Sequence, residues 1–226
     1  MTIEVFFYGL LGAFIGIYLK ENFRIAKKLK SILLRYKVVL QHEIDTFPNV
    51  EGYKEILSVW EEHKTVPKKK AYKQSDIAEL ISEISHFFQE KKVSSSNDKL
   101  LFEMYASYKN NPIGEYEILD FQKLEDEILQ KNLYLSNEEI GLLKSELAYS
   151  AYNLKVHLIN FSRALISFHR GVSDMKTYDK VKFKKYFIPF IEQFIILLEL
   201  LNITFEMVKK EAGKSSLRLF LRNIFQ

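Results

Sequence analysis

An apolar run from Ile3 to Leu19, interrupted only by Glu4, is followed at once by a block of Lys and Arg. As a helix this run spans roughly 25 Å, at the short end of the roughly 17–25 residues that a membrane-crossing helix needs. Phe6, Phe7, Tyr8 and Tyr18 suit the lipid–water boundary, and Lys20 can snorkel to cover the shortfall. The run is therefore expected to be a transmembrane anchor (residues 1–19). A buried N-terminal core helix is the alternative for a stretch this short with three glycines.

The flanking charges set an expected orientation. Lys20, Arg24, Lys27, Lys28, Lys30, Arg35 and Lys37 stand against the single acid Glu21 between residues 20 and 40, whereas the other flank carries only Glu4. Excess positive charge stays on the cytoplasmic side, so the N-terminus is expected outside and all that follows Leu19 in the cytoplasm. A cleaved signal peptide is not expected, because no basic segment precedes the run and no small-x-small site ends it. The expected location is the inner (cytoplasmic) membrane.

Behind the anchor the chain reads as all-α. It has eight Gly and four Pro in 226 residues, few breaks for its length. Residues 20–46 continue from the anchor as a basic amphipathic stalk, with Ile25, Leu29, Ile32, Leu33, Tyr36 and Leu40 on one face and the seven cations on the other. Residues 47–226 form the expected cytosolic helical domain, large enough for a core of its own. Within it, shorter helices are expected near 52–63, from a Ser75 cap to about 92, over 98–109 and over 117–131. Pro67-Lys68-Lys69-Lys70 and Ser94 to Asn97 are expected loops.

Two long helices follow. The first opens on Ser136-x-x-Glu139, a capping box, and carries an apolar seam of Leu147, Ala151, Leu154, Leu158, Phe161, Leu165, Phe168 and Val172. The second, near 178–212, repeats the pattern with Phe187, Ile191, Phe194, Leu198, Leu201, Phe205 and Val208, and Gly213 suits its end. Matched seams of this length predict an antiparallel hairpin. The second helix is apolar enough for a membrane, but Glu192, Gln193 and Glu199 argue for a core helix, since a central acid costs about 2.5–3.5 kcal/mol on insertion.

Zero Cys excludes disulfides and thiolate chemistry. No Gly-rich phosphate loop, HExxH pair or nucleophile elbow is present, and the five His stand apart from one another, so neither a metal nor a cofactor is expected. Three features remain. Gly9, Gly12, Ala13 and Gly16 share one face of the anchor, and small residues let membrane helices approach closely, which predicts a homo-oligomer. The cations from Lys20 to Lys37 predict contact with anionic lipid, with RNA phosphate as the weaker reading. Lys68, Lys69, Lys70 and Lys73 add to that basic surface.

Arg163-x5-His169 is the third. An Arg fork on phosphate oxygens beside an imidazole that can move a proton is sensible chemistry at a phosphate. The spacing resembles the Arg-x4–6-His signature of HEPN-domain ribonucleases, with Ala164 where that family usually carries a polar residue. The layout of one N-terminal membrane helix and a helical domain with a divergent HEPN motif resembles the small accessory membrane proteins of type VI-B CRISPR systems. That resemblance implies assembly into a pore alongside an RNA-guided defence effector against phage. The membrane-tethered abortive-infection proteins share the anchor and bundle without needing the motif. A tethered HEPN-type ribonuclease and a passive membrane scaffold or adaptor are the competing expectations.

Overall fold

The computed structural model describes residues 3–46, 57–58, 60–65, 72–89, 101–102, 105–106 and 135–225, and in the first helix the side chains from Gly12 to Asp45. The breaker Phe47-Pro48-Asn49, most of the helix expected near 52–63, Lys68 to Lys70, the loop at 94–97 and the helices expected over 98–109 and 117–131 lie wholly or largely outside the described residues. Among the described residues the protein is all-helical. The main elements are α1 (Ile3–Thr46), α2 (Gln74–Gln89), α3 (Asn137–Gly141), α4 (Ser145–Ser173), α5 (Lys180–Ala212) and α6 (Ser216–Phe225).

The hydrophobic seams of α4 and α5 lie against each other. Ser150 Oγ is 2.8 Å from Thr204 Oγ1, Phe161 stacks obliquely on Phe190 and Phe194, and Phe168 lies on Phe183, Phe187 and Phe190. As the position along α4 rises, that along α5 falls, so the pair is antiparallel. By helix rise α4 is roughly 44 Å long and α5 roughly 50 Å. Near the turn the Tyr186 ring of α5 lies so close to Gly171 that a Cβ there would run into it. Glycine is required there for space, since its backbone is ordinary helix.

α5 is buried well beyond its seam. Phe183, Phe190, Ile195, Ile196, Leu197, Leu200 and Ile203 are all in the core, because α1 and α2 pack on faces that α4 does not cover. α2 contributes Ile77, Leu80, Ile84, Phe87 and Phe88, and α1 contributes Ala26, Leu29, Ile32, Leu33, Tyr36 and Leu40. Burial pushes the Tyr36 phenol well above its ordinary pKa, because the charged form is strongly penalised there. The apolar face from Ala26 to Leu40 is thus part of the domain core.

Two helix starts differ from expectation, while one helix end falls where expected. The capping box is present, with Glu139 N–H donating to Ser136 Oγ at 3.2 Å and Ser136 N–H to Glu139 Oε2 at 2.9 Å, but it starts the short α3. A turn at Leu142 follows Gly141, and α4 restarts at Ser145 behind Lys144, whose backbone is extended. α2 begins at Gln74, with Asp76 Oδ2 accepting from the Lys73 N–H at 2.8 Å, so Ser75 lies inside the helix and the cap position falls on Lys73. A longer carboxylate arm at the third helical position reaches the orphan N–H just as well as a cap serine reaches forward. Gly213 does end α5, but at φ −69° it is right-handed and uses none of glycine's extra freedom.

Candidate functional site

α1 is one unbroken helix of 44 residues with two environments. From Gly12 to Lys20 every side chain is exposed, including Phe14 at 68 % and Ile17 at 67 %. A Cβ built on Gly12 or Gly16 meets nothing within 4 Å, so that face is open. Ala13 lies exposed beside them, while the surroundings of Gly9 fall outside the described residues. At 100° per residue Gly12, Ala13 and Gly16 point away from the Leu29–Tyr36 face that meets the core.

The seven cations divide into two groups. Lys20, Arg24, Lys27 and Lys28 are exposed at the start of the cationic stretch. Arg24 pairs with Glu21 at 2.7 Å, and Lys27 Nζ lies 4.8 Å from the Phe23 ring centre. Lys30 and Arg35 are engaged within the protein. Lys30 Nζ donates to the carbonyls of Ala212 and Lys214, the latter at 2.7 Å, and so closes the C-terminal end of α5. Arg35 donates to Glu139 at 2.6 Å and fastens α1 to α3. Burial raises the Glu139 pKa, but the Ser136 N–H and the Arg35 guanidinium outweigh it and hold the carboxyl below its ordinary value. Lys37 is half-buried.

Arg163 is exposed and His169 half-buried on the continuous α4. Six residues separate them by about 9 Å along the axis and about 120° around it. One phosphate cannot easily meet both side chains from a single α4.

The acids of α5 have polar partners. Ser85 donates to Glu192 at 2.7 Å, His157 Nδ1 lies 3.0 Å from Gln193 Oε1, and Glu199 accepts from Trp60 Nε1 at 3.0 Å and from Lys64. By length and composition α5 is apolar enough to cross a membrane, yet most of its apolar stretch is buried inside the protein. Glu192 is met by α2, and Glu199 by the Trp60 segment, both packed against the helix.

Glu199 also lies in a cleft of about 930 Å³ between α5, the start of α4 and the segments around Trp60 and Tyr72. Its apolar lining includes Leu147, Ile195 and Met207, and Lys73, Lys144 and Lys210 contribute cationic groups. The volume is in the range of small-molecule sites. Sequence reasoning missed the cleft, since its lining is drawn from positions 57 to 211 and no local spacing marks it. Among the described residues no three His, Cys, Asp or Glu side chains converge as a metal site would require.

Comparison with protein-family models, with curated proteins and with solved structures finds no match for this chain.

Proposed function

We propose that this is a single-pass membrane protein that self-assembles through the first half of α1, with the helical domain held at the cytoplasmic face. The observation that carries the reading is the division of α1. An apolar segment of an unbroken helix stands exposed from Gly12 to Leu19, while the continuation of the same helix is core. Water penalises such a segment at roughly 25 cal/mol per Å² of apolar surface, and lipid removes the penalty. The exposed Lys20, Arg24, Lys27 and Lys28 follow directly, where anionic headgroups would meet them at about 1 kcal/mol each. On the resemblance to the type VI-B accessory proteins, the assembled anchors form a pore that acts with an RNA-guided effector in antiphage defence. The tethered-ribonuclease reading is less favoured, because Arg163 and His169 diverge on α4.

The open space at Gly12 and Gly16 makes a clean test. A Cβ at either position meets nothing within 4 Å and both are exposed, so Gly12→Leu with Gly16→Leu challenges association rather than the packing of the domain core. The double variant should still fractionate with membranes after a carbonate wash, and its mass in detergent should drop to smaller species, since good membrane-helix contacts are worth about 1–2 kcal/mol each in model peptides. An unchanged mass would sink the assembly through this face. Release of the wild-type chain by carbonate would remove the anchor itself.

A further inference from the structure

α6 is amphipathic in an unusual sense, because its exposed face is apolar. Leu219 is completely buried and Phe220 meets Phe23 edge-on with ring centres 5.6 Å apart. These two residues dock the helix on α1. Arg222 also turns inward, to Glu211 at 3.1 Å, joining Lys214 on the same buried carboxylate. Leu217 at 59 % and Leu221 at 44 % exposure, four residues apart, are left on the outer face with the exposed Arg218 between them. Docking alone has no use for those leucines.

The placement of α6 says what would cover them. Lys30 holds the carbonyls of Ala212 and Lys214, and Phe23 holds Phe220, so α6 runs back along α1 toward its N-terminus. Four residues of helix, about 6 Å, bring Ile224 roughly level with Leu19, where the apolar segment of α1 gives way to Lys20. The exposed cations Lys20, Arg24, Lys27 and Lys28 lie along the same stretch of α1, and Arg218 adds another from α6. An apolar outer face with cations beside it, held at that level, matches the boundary between acyl chains and anionic headgroups.

We infer that α6 is a second, shallow lipid contact. Leu221, about 4–5 Å from the level of Leu19, seats at the edge of the acyl region, Leu217 lies one turn farther out among the headgroups, and Arg218 meets the phosphate of an anionic phospholipid. The lysine latch and the Phe23–Phe220 contact then fix the domain rigidly against the bilayer, where a single helix would let it swing. This inference rests on the membrane reading of α1, and depth-resolved quenching separates the two. Trp60 is the chain's one tryptophan and is buried, so it supplies a constant background. Full-length protein carrying Leu221→Trp or Phe14→Trp is reconstituted into phosphatidylglycerol-containing vesicles with bromines placed either near the headgroups or near the bilayer centre.

The Leu221→Trp emission should lose about half its intensity to shallow bromines and little to deep ones, as an interfacial helix buried about 5–10 Å requires. Phe14→Trp should be quenched mainly by the deep bromines. If Phe14→Trp is quenched and Leu221→Trp is not, α6 is no lipid contact while the anchor stands. A blue-shifted but unquenched Leu221→Trp also overturns the inference, by placing protein over the face. If Leu221→Trp alone is quenched, the lipid contact of α6 stands and the anchor falls. Equal shallow quenching in phosphatidylcholine vesicles would overturn the selectivity for anionic lipid.

Discussion

Two segments of this chain are apolar enough to invite a membrane, and their surroundings are opposite. α5 is sheathed by α1, α2 and α4, and Glu192, Gln193 and Glu199 each find a polar partner on a neighbouring element. Gly12 to Leu19 of α1 has no charged residue and is exposed along its length. Both are apolar, yet among the described residues α5 is mostly buried while the α1 segment from Gly12 to Leu19 is exposed and in need of another solvent. Apolar length states that a helix must be covered, and the neighbours decide by what. Scattered acids are the visible clue, because an acid in a core helix can be matched by a specific donor, whereas in lipid it has only the cost.

The sharpest way to break this contrast is to truncate one aromatic from each segment. Phe187→Ala, in the core of α5, should destabilise the domain by about 3–5 kcal/mol, the range for large side chains removed from a packed interior. Phe14→Ala should leave the domain's unfolding within about 0.5 kcal/mol of wild type, as exposed positions do. Chemical denaturation in mild detergent, followed by helical circular dichroism, measures both. A large effect at Phe14 would mean that the segment packs on the domain after all.

A smaller effect is expected from Glu199→Ala. It removes the nearer of the two carboxylates beside the nearly buried Lys64, leaving Glu61 at 4.0 Å, and the acceptor of the Trp60 indole N–H, so a loss of about 3 kcal/mol should follow. Lys64→Met with Glu199→Leu should recover part of that loss, since an apolar pair leaves no uncompensated charge. If the double variant is worse than the single one, the ion pair is not what holds α5 to the Trp60 segment.

The smallest effect concerns the latch between the buried half of α1 and α3. Glu139 has a lowered pKa in the folded protein, so its contribution is present above the ordinary carboxylate value of 4.5 and is lost as pH falls through the lower folded value. Glu139→Gln should therefore be less stable than wild type near neutrality, and the gap should close on acidification below that ordinary value. Urea midpoints of the two proteins across an acid series test this. A gap independent of pH would assign the loss to the cap geometry at Ser136 rather than to the charge.

Much of the helical layout was legible in local patterns, and its exceptions share a cause. The seams of α4 and α5 and the apolar face of α1 follow from helical periodicity, which each segment carries within itself. Helix starts were less legible, since Ser75 and Asp76 both satisfy a capping rule and only the backbone at Lys73 chooses between them. Ser136 does cap a helix, but Gly141 and the turn at Leu142 end it before the long seam begins. The candidate sites were read unevenly. The open glycine face and the exposed cations were marked by spacing, while the cleft beside Glu199 was not, because its walls are drawn from distant parts of the chain.

By itself the sequence determined that the chain is helical, which faces are apolar, and where positive charge collects. Those properties depend on residues within one or two turns of each other. Only the tertiary structure decided which apolar faces are answered and which remain open. It turned Lys30 toward the carbonyls of Ala212 and Lys214 and left Lys20 and Lys28 exposed, although a helical wheel places all three among the same cations. A charge chooses its partner by distance in space, and residues 182 positions apart meet only after the helices have packed.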